Sequence, residues 1–185
     1  VVIPDGGDSQ GKTIEVAEKN LLWIRFHVQG KQAHGSRPDE GANACLAGYD
    51  LALRVNNLEK IFNKRDELFE PPYSTFQPTK KESNVPNINT IPGDDVFCMD
   101  CRILPCYKLE QVKSEIDKLV AQVENQYGVK IEYECPQQVE SPATPKDSDV
   151  VKLLSSGIKA VKNIESKTIG IGGGTVGSYL RNEGY

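Results

Sequence analysis

Apolar and polar residues alternate over Leu21-Leu22-Trp23-Ile24-Arg25-Phe26-His27-Val28. This period of two predicts a half-buried strand over 21–28, with Ile24, Phe26 and Val28 on its inner face. The same period returns over 95–104, where Phe97, Met99, Cys101 and Ile103 share one side and Cys98, Asp100 and Arg102 the other. A third strand is predicted over 129–135, with Val129, Ile131 and Tyr133 inward and Lys130, Glu132 and Glu134 outward. A weaker one, 73–79, carries Pro78, which suits a sheet edge. Between these strands the period lengthens to that of a helix. Val112, Ile116, Leu119, Val120, Val123 and Tyr127 form a stripe over 109–127, and Gly128 caps its end. Another helix is predicted from Pro38-Asp39-Glu40-Gly41 to about Asn63. Its buried stripe is expected to run Ala42, Leu46, Tyr49, Leu53, then Val55, Leu58 and Phe62.

The order over about 20–135 is therefore β-α-β-β-α-β. It predicts an α+β fold, the ferredoxin-like sandwich of a four-stranded antiparallel sheet with two helices on one face. The flanks do not fit that unit. Residues 1–17 are turn-rich, 136–146 read as a proline-rich linker, and a helix over 147–162 precedes Ile169-Gly170-Ile171-Gly172-Gly173-Gly174-Thr175 and a further helix. They are expected to be pieces of an α/β neighbour, which divides the chain into 1–18, 19–136 and 137–185. The apolar opening Val1-Val2-Ile3 and the ending just past a helix at Gly184-Tyr185 are expected of a piece excised from a longer protein.

Composition narrows the partners. The chain has 185 residues, 38% hydrophobic and 26% charged, enough for an ordinary globular core. A net charge of −4 without a local Lys/Arg cluster leaves no electrostatic footprint for nucleic acid. No apolar run approaches the roughly 18 residues of a membrane helix. Five cysteines, an odd number without the spacing of a small secreted scaffold, lead us to expect a reduced, cytoplasmic setting. Cys98 and Cys101 form a C-x-x-C, but a spacing of three within a strand points them to opposite faces, where no zinc knuckle forms.

Several residues could carry chemistry. His34 lies in Gly30-Lys31-Gln32-Ala33-His34-Gly35-Ser36-Arg37-Pro38, a loop between strand and helix, where it is either a surface turn residue or an imidazole free to meet a ligand. Asp100 and Arg102 share the helix-free face, either as an ion network or with Arg102 as a forked receptor for a carboxylate. Asn89, in the loop Asn87-Ile88-Asn89-Thr90-Ile91-Pro92-Gly93, satisfies a turn or offers its amide to a ligand. Asp5 in Pro-Asp-Gly-Gly reads first as a turn residue. The loop Gly172-Gly173-Gly174-Thr175 could cradle an anion, yet it has neither a Walker lysine nor G-x-G-x-x-G spacing.

Three strings in this order, GKQAHGSRPDEGANA, NVPNINTIPGDDVFCMDCRILP and GIGGGTVGSYLRNEGY, resemble the acetylornithine deacetylase/succinyl-diaminopimelate desuccinylase family, particularly its archaeal-type members. These belong to a wider group of dizinc amidohydrolases that includes aminoacylases and carboxypeptidases. The resemblance spans essentially the whole chain. It implies a ferredoxin-like lid, also the dimerisation domain, inserted into a zinc-binding catalytic domain. It implies further that His34 reaches the partner subunit's active site and stabilises the oxyanion. Asn89 and Arg102 would hold the substrate's polar groups, Gly173, Gly174 and Thr175 would belong to a substrate-binding loop, and Asp5 would be a metal ligand. The parent would be a metallopeptidase-like hydrolase with two Zn per active site, cobalt able to substitute. It would cleave the amide of N-acyl amino acids or small peptides by metal-hydroxide attack. The family's upstream H-x-D pair, Glu-Glu pair and C-terminal histidine ligand have no counterpart here, so this piece alone is expected to be inactive. It should pair as a homodimer through the lid sheet and first helix. The competing expectation is a stand-alone ferredoxin-like ligand-binding or interaction module.

Overall fold

The structure is a computed structural model of the chain, described at residues 1–4 and 6–185. In chain order its elements are β1 (Thr13–Glu18), β2 (Asn20–Gln29), β3 (Ala33–His34), α1 (Ala44–Asn56), β4 (Thr75–Lys81), β5 (Thr90–Ile91), β6 (Asp94–Ile103), α2 (Leu109–Tyr127), β7 (Lys130–Val139), α3 (Asp149–Lys162), β8 (Lys167–Ile171) and α4 (Val176–Asn182). Strands β4, β6, β2 and β7, in that order, form a four-stranded antiparallel sheet. Register pairs Leu22 with Cys101, Ile24 with Met99 and Phe26 with Phe97, so the alternation legible in each strand adds up to one apolar face. That face and helices α1 and α2 share a core, in which the Phe26 and Phe97 rings stack with centroids 4.9 Å apart.

Both outer strands carry proline where the ladder is irregular: Pro78 of β4 at a bulge next to Lys80, and Pro136 of β7 where the pairing skips between Trp23 and Arg25. Proline donates no ladder hydrogen bond, so an edge or a bulge is where it costs least. β7 extends through Val139, further than 129–135, and takes in the start of the expected linker.

Helix α2 has the boundaries and buried stripe expected, with Val112, Ile116, Val120 and Val123 in the core and Gly128 at φ 64°. Helix α1 differs from expectation twice. Pro38–Glu40 form only one 3₁₀ turn, because Lys31 and Ala42 exchange backbone hydrogen bonds of 2.8 and 2.9 Å that keep Ala42 extended. The α-helix therefore starts after Asn43, whose side chain accepts the Leu46 amide at 3.0 Å. Its core face is also not the one expected. Ala44, Ala47, Gly48, Leu51 and Val55 face the sheet, whereas Leu46, Tyr49 and Leu53 are 52, 53 and 62% exposed. Small residues let the helix lie close to the sheet: a Cβ on Gly48 would collide with the Asp95 carboxylate. Helical periodicity fits both stripes, and the bulkier one faces outward. Val55, Leu58 and Phe62 are buried as expected.

The remaining strands make small sheets. β1 pairs in parallel with β8, over a separate apolar cluster of Ile14, Val16 and Val151, and β3 pairs with β5. A groove of ≈ 370 Å³ runs along β1 between α3 and α4. Cys101 sits in the main core, and burial, with Asp100 nearby, pushes its thiol well above its ordinary pKa of 9.0. In the unfolded chain this thiol ionises above pH 9, whereas in the fold it stays protonated. The unfolded state then binds fewer protons, and stability falls as pH rises through that window. A Cys101→Val variant should lose about 1.4 kcal/mol less per pH unit above pH 9. Urea midpoints at pH 8, 9 and 10 check it.

Candidate functional site

The chain passes from β1 to β2 through three buried polar residues. Glu18 accepts the Thr175 amide (2.8 Å), the Thr175 hydroxyl (2.7 Å) and Arg181 Nη2 (2.5 Å). Lys19 Nζ donates to the carbonyls of Pro71 and Tyr73, and burial lowers its pKa. Asn20 accepts the Ser141 amide and donates to the Tyr107 carbonyl, tying the two crossings of the chain together. None of the three stood out in the sequence as functional. Their partners lie 52 to 163 positions away, beyond the reach of a local pattern.

Above this junction stands Arg102, half-buried on the helix-free face of β6. Its Nε and Nη2 grip the two Asp100 oxygens at 2.6 and 2.9 Å, and Nη1 donates to the Gly172 carbonyl at 2.8 Å. The Asp100 hydrogen bonds raise the guanidinium pKa further. The ion pair expected of these residues is present, and the third nitrogen of Arg102 holds the glycine loop. Thr175 is committed to Glu18 and caps α4 through Gly177, while Gly173 and Gly174 have open space where a Cβ would sit. Arg102 and the Gly172–Thr175 loop thus form one group at the carboxyl ends of β1 and β8.

His34 and Asn89 form a second group. The short β3–β5 ribbon sets His34 opposite Thr90, Gly35 donates to the Asn89 carbonyl at 2.7 Å, and Asn89 Nδ2 lies 3.4 Å from His34 Nε2. The imidazole is exposed, and its Nδ1 lies 2.8 Å from Ser36 Oγ and 3.2 Å from the Ser36 amide nitrogen. Ser36 drew no notice in the sequence because serine beside glycine reads as turn chemistry. The ribbon is fastened to the sheet where β2 ends and β6 begins, Gly30 donating to the Gly93 carbonyl.

The two groups occupy opposite ends of the sheet. β6 runs from Asp94, beside the ribbon, to Arg102, paired with Leu21 at the start of β2. Eight residues of strand, about 27 Å, separate Asp94 from Arg102. Asp5, the expected metal ligand, lies outside the described residues. Among the described residues no three His, Cys, Asp or Glu side chains cluster as a metal site requires, so these residues do not by themselves fit a metal ion. Cys98 is half-buried and Cys101 buried, on opposite faces as their spacing requires.

A two-layer unit with a single-faced antiparallel sheet, flanked along the chain by the parallel pair β1 and β8, defines the class of protein. The family model of the peptidase dimerisation domain matches residues 16–128, and the chain belongs to this M20 peptidase family. It is 40% identical to a metallohydrolase of Methanococcus maripaludis and 38% to one of Methanocaldococcus jannaschii, in each case over its whole length and 48% of theirs. The chain thus spans about half the length of these curated relatives. Among solved structures it resembles a Staphylococcus aureus tripeptidase (TM-score 0.74, 21% identity, 94% of this chain and 43% of that one). It also resembles a hydantoinase/carbamoylase-family amidase of Burkholderia multivorans (TM-score 0.70, 18% identity, 90% and 38%). These structural likenesses establish the fold.

Proposed function

We propose that this chain is the lid and dimerisation part of a zinc-dependent amidohydrolase of the acetylornithine deacetylase/succinyl-diaminopimelate desuccinylase type. Its substrate is an N-acyl amino acid or small peptide, and its setting is the cytoplasm. The strand order β4-β6-β2-β7 with two helices on one face supports reading residues 19–136 as the ferredoxin-like sandwich. When bound, the metal supplies Lewis-acid chemistry, with Asp5 among its ligands and the others outside this chain.

One observation carries the reading. His34 with Asn89, and Arg102 with the glycine loop, sit toward opposite ends of a strand whose length from Asp94 to Arg102 is about 27 Å. This supports a substrate the size of an acyl amino acid meeting both groups only when they come from two copies. The active site is then composite. One subunit offers Arg102 with Gly173 and Gly174, in a loop that Thr175 anchors through Glu18, to hold the substrate's polar end. Its partner offers His34 Nε2 to the carbonyl oxygen as that oxygen becomes anionic, with Asn89 beside it. The exposed Leu46, Tyr49 and Leu53 of α1 lie along the same flank as edge strand β4. An apolar stripe beside an open sheet edge is what a two-fold pairing buries.

Amide hydrolysis measured on the intact parent, with zinc or cobalt and then with a chelator, tests this. Metal-dependent turnover of N-acyl amino acids is expected from the parent and none from the 185-residue chain. A parent that binds such ligands without cleaving them would favour the stand-alone binding module.

A further inference from the structure

We infer that Ser36 is a positioning residue that locks the His34 imidazole in the tautomer with its proton on Nε2. The functional meaning rests on the reading of His34 as an oxyanion donor, whereas the tautomer itself follows from local geometry.

Two groups of Ser36 converge on Nδ1. The backbone N–H points to it at 3.2 Å, and Oγ lies 2.8 Å away. A backbone amide can only donate, so Nδ1 must present its lone pair, and a neutral imidazole that accepts at Nδ1 carries its proton on Nε2. The hydroxyl proton rotates freely and donates to the same lone pair. At 3.2 Å the amide contact is long for a hydrogen bond, and the hydroxyl contact is the tighter of the two. The hydroxyl, which can donate or accept, tightens the contact, while the amide, which can only donate, decides which tautomer is held. The turn cannot swing away, because the His34 carbonyl accepts the Arg37 amide at 2.8 Å and Gly35 is tied to Asn89. A Cβ on Gly35 would press within 3.1 Å of the Asn89 carbonyl oxygen, so glycine permits this close turn.

The consequence falls on Nε2, which faces away from Ser36 and has the Asn89 amide 3.4 Å away. An Nε2–H requires that amide to be turned so that its oxygen, not Nδ2, faces the ring. Locked as N–H, it gives a proton to an oxygen that gains negative charge. The other tautomer would aim a lone pair at that oxygen and repel it. The same lock keeps Nε2 from acting as a metal ligand or a base while the ring is neutral.

Imidazole nitrogen NMR on the 185-residue chain tests the lock without substrate or metal. At a pH well above the usual histidine pKa of about 6.5, His34 should show Nε2 as the only protonated nitrogen and Nδ1 as a pure acceptor. A His27→Gln variant assigns the signals, since His27 is the other histidine. In Ser36→Ala, which keeps the amide, Nε2 should remain the protonated nitrogen while the Nδ1 shift moves toward that of an acceptor without a hydroxyl partner, and Ser36→Thr should restore the original pattern. Backbone amide spectra verify that each variant is folded. A wild-type chain with its proton on Nδ1, or a folded Ser36→Ala variant with the pattern unchanged, would overturn the inference. In the intact parent, Ser36→Ala should lower kcat with KM retained. Failure of that arm alone, with the tautomer as stated, would count against the hydrolytic role of His34 and not against the lock.

Discussion

Replacing His34 by alanine in the intact parent is expected to lower kcat by about 10²–10³-fold, the usual effect of losing one oxyanion donor. KM should change little, because a donor aimed at charge that develops during reaction contributes little to ground-state binding. The fold should survive. The imidazole is exposed, its side-chain hydrogen bonds among the described residues are to Ser36 and Asn89, and the β3–β5 ribbon is held by backbone hydrogen bonds that alanine keeps. Steady-state kinetics on the metal-loaded parent check it, and a loss confined to KM would assign His34 to binding alone.

Removing Lys81 should have the largest effect on stability among the polar residues. Asp95 is fully buried, and both its oxygens accept Lys81 Nζ, at 2.7 and 2.6 Å, with Asn84 adding a third bond at 3.0 Å. Lys81→Met leaves the carboxylate under α1 with Asn84 as its remaining side-chain partner. Breaking one side of a buried pair strands a charge, and the cost here is about 3 kcal/mol. Lys81 Nζ also stands 4.4 Å from the centre of the Tyr49 ring, so the substitution loosens a residue of the exposed α1 stripe. Urea unfolding of the two forms measures the difference, and a cost under about 1 kcal/mol would show that the carboxylate finds water.

The sequence discloses best what local periodicity controls. β2, β6 and α2 each bury one face against a single core, so alternation or a helical stripe places them. α1 carries two apolar stripes, and the one with the larger side chains faces outward. Whether a helix face is covered depends on how closely its neighbour can approach, which here is set by Gly48. β1 lay hidden within a stretch that read as turns, because its partner β8 arrives from about 150 residues later. β3 and β5 are two residues each, too short for any period. In the site, His34, Asn89 and Arg102 were legible as residue types in a recognisable order. Their separation into two groups was not, since it is a property of the sheet register. The buried Glu18 and the Nδ1 contact of Ser36 were hidden for the same reason: their roles come from what folding sets against them.

Co-expression of a His34→Ala copy with an Arg102→Ala copy tests the composite site most directly. Each variant alone should be nearly inactive, because every site in it lacks either the oxyanion donor or the substrate's anchor. The mixed dimer should regain one complete site, with Arg102 from the first copy and His34 from the second, and turnover should rise well above the sum of the separate variants. Activity no greater than that sum, in dimers shown to be mixed, would contradict the account.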